Sequence, residues 1–242
     1  MKVYVVRHAQ SRQNVHDPED VSYVRPEVKE YESQDYSLTP FGEDQADRAG
    51  RRLSQVKFDA AFCGPLHRHI ATANAILRYQ EELKTVEVLS DLTEIDVPDY
   101  AGMPPELWAK LFPDINVIPC PDPTPTGGKM TYSEEELGDW INERKRAQRV
   151  ERYLTERFKG KENVLIISSV NFYGRVLAPS LLRMSDETID KCTGFGCDNA
   201  SIGCFLLYPS GTDSRCFCIN DTLHLRVPDK DKDIISKIPL FN

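Results

Sequence analysis

A histidine and an arginine stand side by side where an apolar run near the start of the chain ends. Residues 3–6 are β-branched or aromatic and lead directly into Arg7 and His8. Such a run predicts a central strand that is covered on both faces. An imidazole at a strand end can attack phosphorus, and an adjacent guanidinium offers a forked pair of donors to phosphoryl oxygens. Taken alone, the pair is too short a pattern to favour this chemistry over an ordinary strand-end histidine beside a surface arginine, and the ordinary interpretation is preferred.

Two further segments place chemically suitable side chains after predicted strands. Arg68 falls in the first turn of a helix predicted at 65–79, after a strand predicted at 58–62. The free backbone N–H groups of a helix start favour an anion there. Glu94 follows a short strand predicted at 86–89. Considered singly, Arg68 would be a solvated helix residue and Glu94 a surface carboxylate.

Taken together, these segments resemble the histidine phosphatase superfamily, also called phosphoglycerate mutase-like. The resemblance extends from Met1 to about His224. Its segments occur in the family's order at compatible spacing: Arg7-His8 with Ser11 and Asn14, then 37–46, 65–73, the Glu94 segment and 220–225. The resemblance implies an α/β fold with a mainly parallel central sheet flanked by helices on both faces. It also implies phosphoryl transfer through a phosphohistidine, without a metal or another cofactor.

The resemblance assigns a role to each matching residue. His8 would be the nucleophile, and Glu94 would donate a proton to the leaving oxygen. Arg7 and Arg68 would hold the phosphoryl oxygens, and Asn14 could help to place the phosphate. The assignment is physically coherent because two fixed cations stabilise charge on the equatorial oxygens while an acid neutralises the alkoxide.

One position departs from the family pattern. The family has its second catalytic histidine after a later apolar strand, in a V-S-H-G-G pattern, and here Ser169 aligns with that histidine. Val170 and Asn171 align with the two glycines. Replacing a charge-assisted hydrogen bond by a neutral one costs on the order of 1.5–3 kcal/mol, so we expect weakened activity.

The other histidines do not suggest an obvious replacement. They are His16, His67, His69 and His224. His224 belongs to the terminal segment, while the two histidines at the predicted helix start flank Arg68. Among them, His16 is the least implausible substitute.

The remaining pattern predicts the elements that must position these side chains. Helices are predicted at 41–53, with Thr39 as its cap, and at 133–158, with Trp140, Ile141, Val150 and Leu154 on its apolar face. Strands are predicted at 163–168, 200–208 and 216–219. We expect one domain over 1–242, with irregular cap or loop insertions at about 15–37 and 103–130.

Composition limits the classes of partner. The 242 residues carry a net charge of −8, which argues against a general nucleic-acid or anionic membrane surface. No apolar run reaches bilayer-spanning length, so we expect a cytoplasmic protein. The seven cysteines lack paired C-x2-C spacing, which favours free thiols over a zinc site.

Three functions remain open at this point. The leading hypothesis is a phosphomonoesterase with a weakened pocket that takes a small phosphorylated substrate. The alternative is a catalytically inert pseudophosphatase, which would bind phosphate, a phosphorylated ligand or a protein partner through the same pocket. A phosphoglycerate mutase is less well supported, because 15–37 shows no match to the mutases' substrate-binding stretch. The sequence leaves the oligomeric state open.

Overall fold

A central sheet organises the part of the chain that the computed structural model describes, which is residues 1–15, 37–95, 105–120, 140–158, 160, 162–191, 194–208, 213–238 and 240. Its strands are β1 (Lys2–Arg7), β2 (Ala60–Cys63), β3 (Thr85–Val88), β4 (Asn116–Pro119), β5 (Asn163–Ser168), β6 (Ile202–Leu207) and β7 (Ser214–Asp221). The helices are α1 (Pro40–Leu53), α2 (His67–Leu77), α3 (Pro105–Leu111), α4 (Trp140–Arg157), α5 (Ala178–Leu181) and α6 (Asp186–Lys191). A π-helical turn, Phe172–Leu177, leads into α5.

The strand order is β4-β3-β2-β5-β1-β6-β7. The first five strands in this order run parallel, and β6 and β7 add an antiparallel edge. β1 lies directly beside β5, with Arg7 opposite Ser168. The residues that follow β1, β2 and β5 therefore meet at the carboxyl ends of these central strands, where open α/β sheets hold their ligands.

Helices cover both faces of the sheet, as the sequence predicts. Along β1, Tyr4 and Val6 belong to one buried cluster while Val3 and Val5 belong to another. The first cluster receives apolar residues from α1, α2 and α3, and the second receives them from α4 and the helical segment after β5. The alternation of side chains along a strand explains why an uninterrupted apolar run fits this position.

Helix α1 begins against the loop that follows β1. The Thr39 hydroxyl accepts a hydrogen bond from the Gly42 backbone N–H at 3.0 Å, which confirms the predicted cap. The Thr39 backbone N–H donates to the Gln10 carbonyl oxygen at 3.0 Å. A Cβ atom on Gly42 would lie 2.0 Å from that same carbonyl oxygen. The glycine thus permits the close approach that fixes the loop beside His8.

Two expectations about the chain after residue 100 are wrong. The segment 103–130 is not irregular throughout, since it contains α3 and the edge strand β4. Trp108 of α3 is almost fully buried, so packing overrides the weak local pattern. In α4, Val150 and Leu154 are buried as expected, but Trp140 and Ile141 are exposed. Most of 15–37, together with 121–139, lies outside the described residues.

Two findings concern features that the composition raised. None of the helices in the described ranges combines the length and the apolar character needed to cross a membrane. The described cysteines are free thiols, and they are Cys63, Cys120, Cys197, Cys204, Cys216 and Cys218. Cys192 lies outside the described residues.

Candidate active site

His8 lies immediately after β1 and is almost completely buried. Its backbone N–H donates to the Ser168 carbonyl oxygen of β5 at 2.9 Å, which fixes His8 at the carboxyl ends of β1 and β5. Its Nδ1 lies 2.8 Å from the Ala9 carbonyl oxygen. Because a carbonyl oxygen only accepts hydrogen bonds, Nδ1 carries the proton and Nε2 keeps its lone pair. The ring is therefore set up to react through Nε2.

Several positive charges surround this imidazole. Burial holds the pKa of His8 well below its ordinary value, and the charges of Arg68 and Arg7 lower it further. His8 is thus neutral at neutral pH, the form in which an imidazole is nucleophilic. Arg68 lies in the first turn of α2 and is 2% exposed. Arg7 reaches the same site while its Nη1 donates to the Cys197 carbonyl oxygen at 2.7 Å.

The carboxylate of Glu94 faces the start of the helical segment that follows β5. It accepts hydrogen bonds from the backbone N–H groups of Ile95 at 2.8 Å, Phe172 at 3.0 Å and Asn171 at 3.3 Å. Burial raises the pKa of Glu94, whereas those N–H groups and the nearby charge of Arg68 lower it. The opposed effects suit a carboxyl group that must both release and accept a proton.

Helix α4 holds the Glu94 segment in place. Arg149 binds the buried Asp91 carboxylate through two hydrogen bonds, at 2.8 and 3.1 Å. Arg146 donates to the Thr93 carbonyl oxygen at 3.1 Å and stacks over the Phe172 ring at 4.2 Å. α4 therefore connects the segment carrying Glu94 with the helix start that it contacts.

Asn14 is exposed beside the loop that follows β1. Its Oδ1 accepts from the Ser11 backbone N–H at 3.0 Å and from the Asn199 Nδ2 at 3.1 Å. These donors identify the oxygen of the carboxamide, so only its Nδ2 is oriented to serve a ligand. Asn14 first of all fixes the loop that carries His8.

Ser169 lies immediately after β5 and is fully buried. Its Oγ is 2.6 Å from Nε2 of His69, which is also fully buried. The ring of His69 in turn lies 5.6 Å from the ring of His8, centroid to centroid, with 42° between their planes. The imidazoles of His8 and His69 and the hydroxyl of Ser169 thus lie together at the carboxyl ends of β1, β2 and β5.

The family model for the histidine phosphatase superfamily (branch 1) matches residues 3–220. The chain belongs to the histidine phosphatase superfamily. Among curated relatives, fructose-2,6-bisphosphatase TIGAR of Xenopus laevis is 32% identical over 128 residues. That alignment covers 52% of this chain and 42% of the relative, so the match spans less than half the length of the relative.

Solved structures of several phosphatases share the fold at low sequence identity. The phosphoserine phosphatase of Entamoeba histolytica, in complex with 3-phosphoglyceric acid, is 19% identical with a TM-score of 0.57 and covers 93% of this chain and 98% of its own. A mycobacterial glucosyl-3-phosphoglycerate phosphatase is 16% identical with a TM-score of 0.61 and covers 91% and 99%. These similarities establish the predicted architecture of the sheet.

His69 is a neighbour of Ser169, a contact that the position of His69 beside Arg68 does not reveal. His69 lies in α2, which follows β2, and Ser169 directly follows β5. These two strands pair directly in the sheet. His67 and His69 are two positions apart, which on a helix turns them to different sides. His67 packs against Phe112 at 5.5 Å, whereas His69 turns towards Ser169. His16 lies outside the described residues.

A turn before β6 also supports the site, and no local sequence pattern indicates this role. Asn199 Nδ2 donates to the His8 carbonyl oxygen at 3.0 Å, and the Ala200 N–H donates to that of Arg7 at 3.0 Å. Ala200 has a left-handed backbone, with φ of 58°. The buried His224 donates from Nε2 to the Ala200 carbonyl oxygen at 3.1 Å. The terminal segment thereby fixes the backbone of the candidate nucleophile.

Proposed function

We propose that the chain is a metal-independent phosphomonoesterase that acts through a phosphohistidine on His8. The observation that carries the proposal is the state of His8. Its Nδ1 is committed to the Ala9 carbonyl, and its Nε2 lone pair lies among the charges of Arg7 and Arg68. A buried neutral imidazole next to two cations suits attack on a phosphoryl group, because the cations stabilise the charge of the transferring oxygens.

In the first step, His8 Nε2 attacks phosphorus and the bond to the ester oxygen breaks. Arg7 and Arg68 bind the equatorial oxygens, and Glu94 gives its proton to the leaving alkoxide. In the second step, water attacks the phosphohistidine while the Glu94 carboxylate takes a proton from that water. Inorganic phosphate leaves, and both His8 and Glu94 return to their starting states.

Ser169 occupies, in this proposal, the position of the family's second catalytic histidine. Its support is the register of β1 and β5, which pairs Arg7 with Ser168 and so brings the residues after them to neighbouring places. A serine hydroxyl can donate one neutral hydrogen bond to a phosphoryl oxygen. The loss relative to a charged donor is on the order of 1.5–3 kcal/mol, which predicts slow turnover.

The substrate class we propose is a small organic phosphate. The relatives named above act, by their names, on fructose 2,6-bisphosphate, phosphoserine and glucosyl-3-phosphoglycerate. All three are small phosphate esters. The net charge of −8 further disfavours polyanionic substrates such as nucleic acids.

The test is hydrolysis of an aryl phosphate by the wild type and by His8→Ala. We expect slow hydrolysis by the wild type, none by His8→Ala, and an acid-labile phosphoryl group that is trapped on His8 alone. His16→Ala is the control and examines the other histidine that the sequence suggested. Phosphate binding with no turnover and no phosphohistidine would instead favour the inert pseudophosphatase.

A further inference from the structure

His69 and Ser169 form a buried pair that the proposed phosphatase reaction does not account for. His69 Nε2 lies 2.6 Å from Ser169 Oγ, and both residues are 0% exposed. The His69 ring lies 5.6 Å from the ring of the proposed nucleophile His8. The pair thus lies next to the ring that would carry the phosphoryl group in the proposed reaction.

The surroundings of His69 are built to hold an imidazole. The ring packs against Gly64, where a Cβ atom would lie 2.3 Å from Nδ1 of His69. A glycine at the end of β2 therefore makes the room that the ring requires. An apolar side chain would fill the same space at a lower desolvation cost, because a buried ring nitrogen needs a polar partner.

Charged groups surround the buried ring of His69. Burial lowers the pKa of His69 well below its ordinary value, and the charge of Arg68 on the same helix lowers it further. From the end of β1, His8 and Arg7 also face this region. Glu94 lies within the range of the Arg68 charge and supplies negative charge to the same pocket.

A phosphoryl dianion would reverse this balance. Its two negative charges offset those of Arg7 and Arg68, and an opposite charge nearby favours the protonated imidazole. Nδ1 and Nε2 both become donors in that form. Nε2 would then donate to Ser169 Oγ, leaving the hydroxyl hydrogen free to turn towards a phosphoryl oxygen.

We propose that His69 is a positioning residue that acts through Ser169: when a phosphoryl anion binds, His69 takes up one proton from solvent, and its Nε2–H holds Ser169 as a donor to the anion. The positive charge of the family's second histidine is thereby supplied one hydrogen bond further back. This inference rests on the proposed function, since it needs an anion bound at His8. It predicts that binding of the anion and protonation of His69 are coupled.

Sulfate is the appropriate probe because it stays a dianion throughout the neutral pH range, so any proton taken up on binding enters the protein. Calorimetry in two buffers of different ionisation enthalpy measures that uptake. We expect uptake of a proton by the wild type at pH 7–8, and its loss in His69→Gln, with about tenfold weaker sulfate binding. Glutamine retains a donor to Ser169 without the charge.

His67→Gln is the matched control, since it changes a buried histidine on the same helix that packs against Phe112 instead of Ser169. It should leave the uptake unchanged. Exchange of the two groups, His69→Ser with Ser169→His, keeps the side-chain volume and should restore the uptake. In the wild type, the Cε1–H resonance that is absent from His69→Gln should move to its imidazolium position on saturation with sulfate.

Two failures can be told apart. If the wild type binds no sulfate and shows no hydrolysis dependent on His8, the proposed function fails and this inference falls with it. If sulfate binds and hydrolysis depends on His8, but His69→Gln takes up as many protons as the wild type, the inference alone is overturned. An unmoved His69 resonance in the sulfate complex of the wild type would overturn it equally, without relying on any variant.

Discussion

The Glu94 carboxylate accepts a hydrogen bond from the backbone N–H of Phe172 at 3.0 Å. Phe172 begins the π-helical turn that follows Ser169, so the proposed acid contacts the same helix start that presents the serine. π-helical turns are rare and occur frequently at functional sites. The contact explains how a segment after β3 and a segment after β5 are held at one pocket.

Glu94→Gln is expected to lower kcat in a way that depends on the leaving group. Glutamine can still accept the N–H bonds of Ile95 and Phe172 through its Oε1, but its NH2 group cannot accept the bond from Asn171, and it has no proton to transfer. For an alkyl phosphate, whose leaving oxygen is strongly basic, the loss should be about 10²–10⁴-fold. For an aryl phosphate with an acidic leaving group, the loss should be much smaller. Steady-state kinetics on both substrates measures the difference, and equal losses would remove Glu94 from the role of acid.

Arg68→Lys tests whether the forked geometry of the guanidinium is needed. Lysine keeps the charge but loses the bidentate donor, so kcat/KM should fall by about ten- to a hundredfold. Arg78→Lys is the control, because Arg78 is exposed at the other end of α2. Kinetics of the two variants on the same aryl phosphate should separate them. Similar activity of both would indicate that Arg68 contributes only its charge.

The sequence predicts the sheet and most of the site because both depend on local signals. Residues 3–6 and 163–168 are apolar runs that end next to the candidate site residues His8 and Ser169. The pairing of β1 with β5 then brings them together without any further information. The capping threonine at position 39 was equally visible, since a cap is a property of a few adjacent residues.

The contacts that the sequence does not reveal are those between distant segments. His69 meets Ser169 across a hundred positions because β2 lies beside β5 and because Gly64 leaves room for the ring. Helix α3 has little periodicity of its own, and Trp108 is buried only through its contacts with the rest of the fold. The local sequence pattern therefore predicts neither the orientation of the His69 side chain at the start of α2 nor the presence of helix α3.

Ser169→His alone is expected to destabilise the protein. The added ring would meet His69, which already lies 2.6 Å from the serine oxygen. Overpacking of a filled core typically costs about 1–3 kcal/mol. Denaturant titration should show this loss, and the exchange variant with serine at position 69 should recover most of it. If Ser169→His were as stable as the wild type and turned over faster, the pocket would have room for both rings, and the expected overpacking would be contradicted.

His224 should make the stability of the protein depend on pH in the acid range. Burial lowers the pKa of His224 from 6.5 to about 4, while its Nε2 donates to the Ala200 carbonyl oxygen. Between these two pKa values, the imidazole is protonated in the unfolded chain but not in the folded chain. The free energy of unfolding therefore falls as the pH is lowered through this range. The shift corresponds to roughly 3 kcal/mol once the pH has fallen to about 4. His8 and His69, whose pKa values are also lowered, act in the same direction, whereas the raised pKa of Glu94 acts in the opposite one.

His224→Gln isolates the contribution of His224, because the glutamine Nε2 can still donate to Ala200 but does not titrate. Urea titrations of both proteins between pH 7 and pH 4 should give curves that converge as the pH falls, with the smaller decrease in the variant. Parallel curves would mean that His224 titrates alike in the folded and unfolded states.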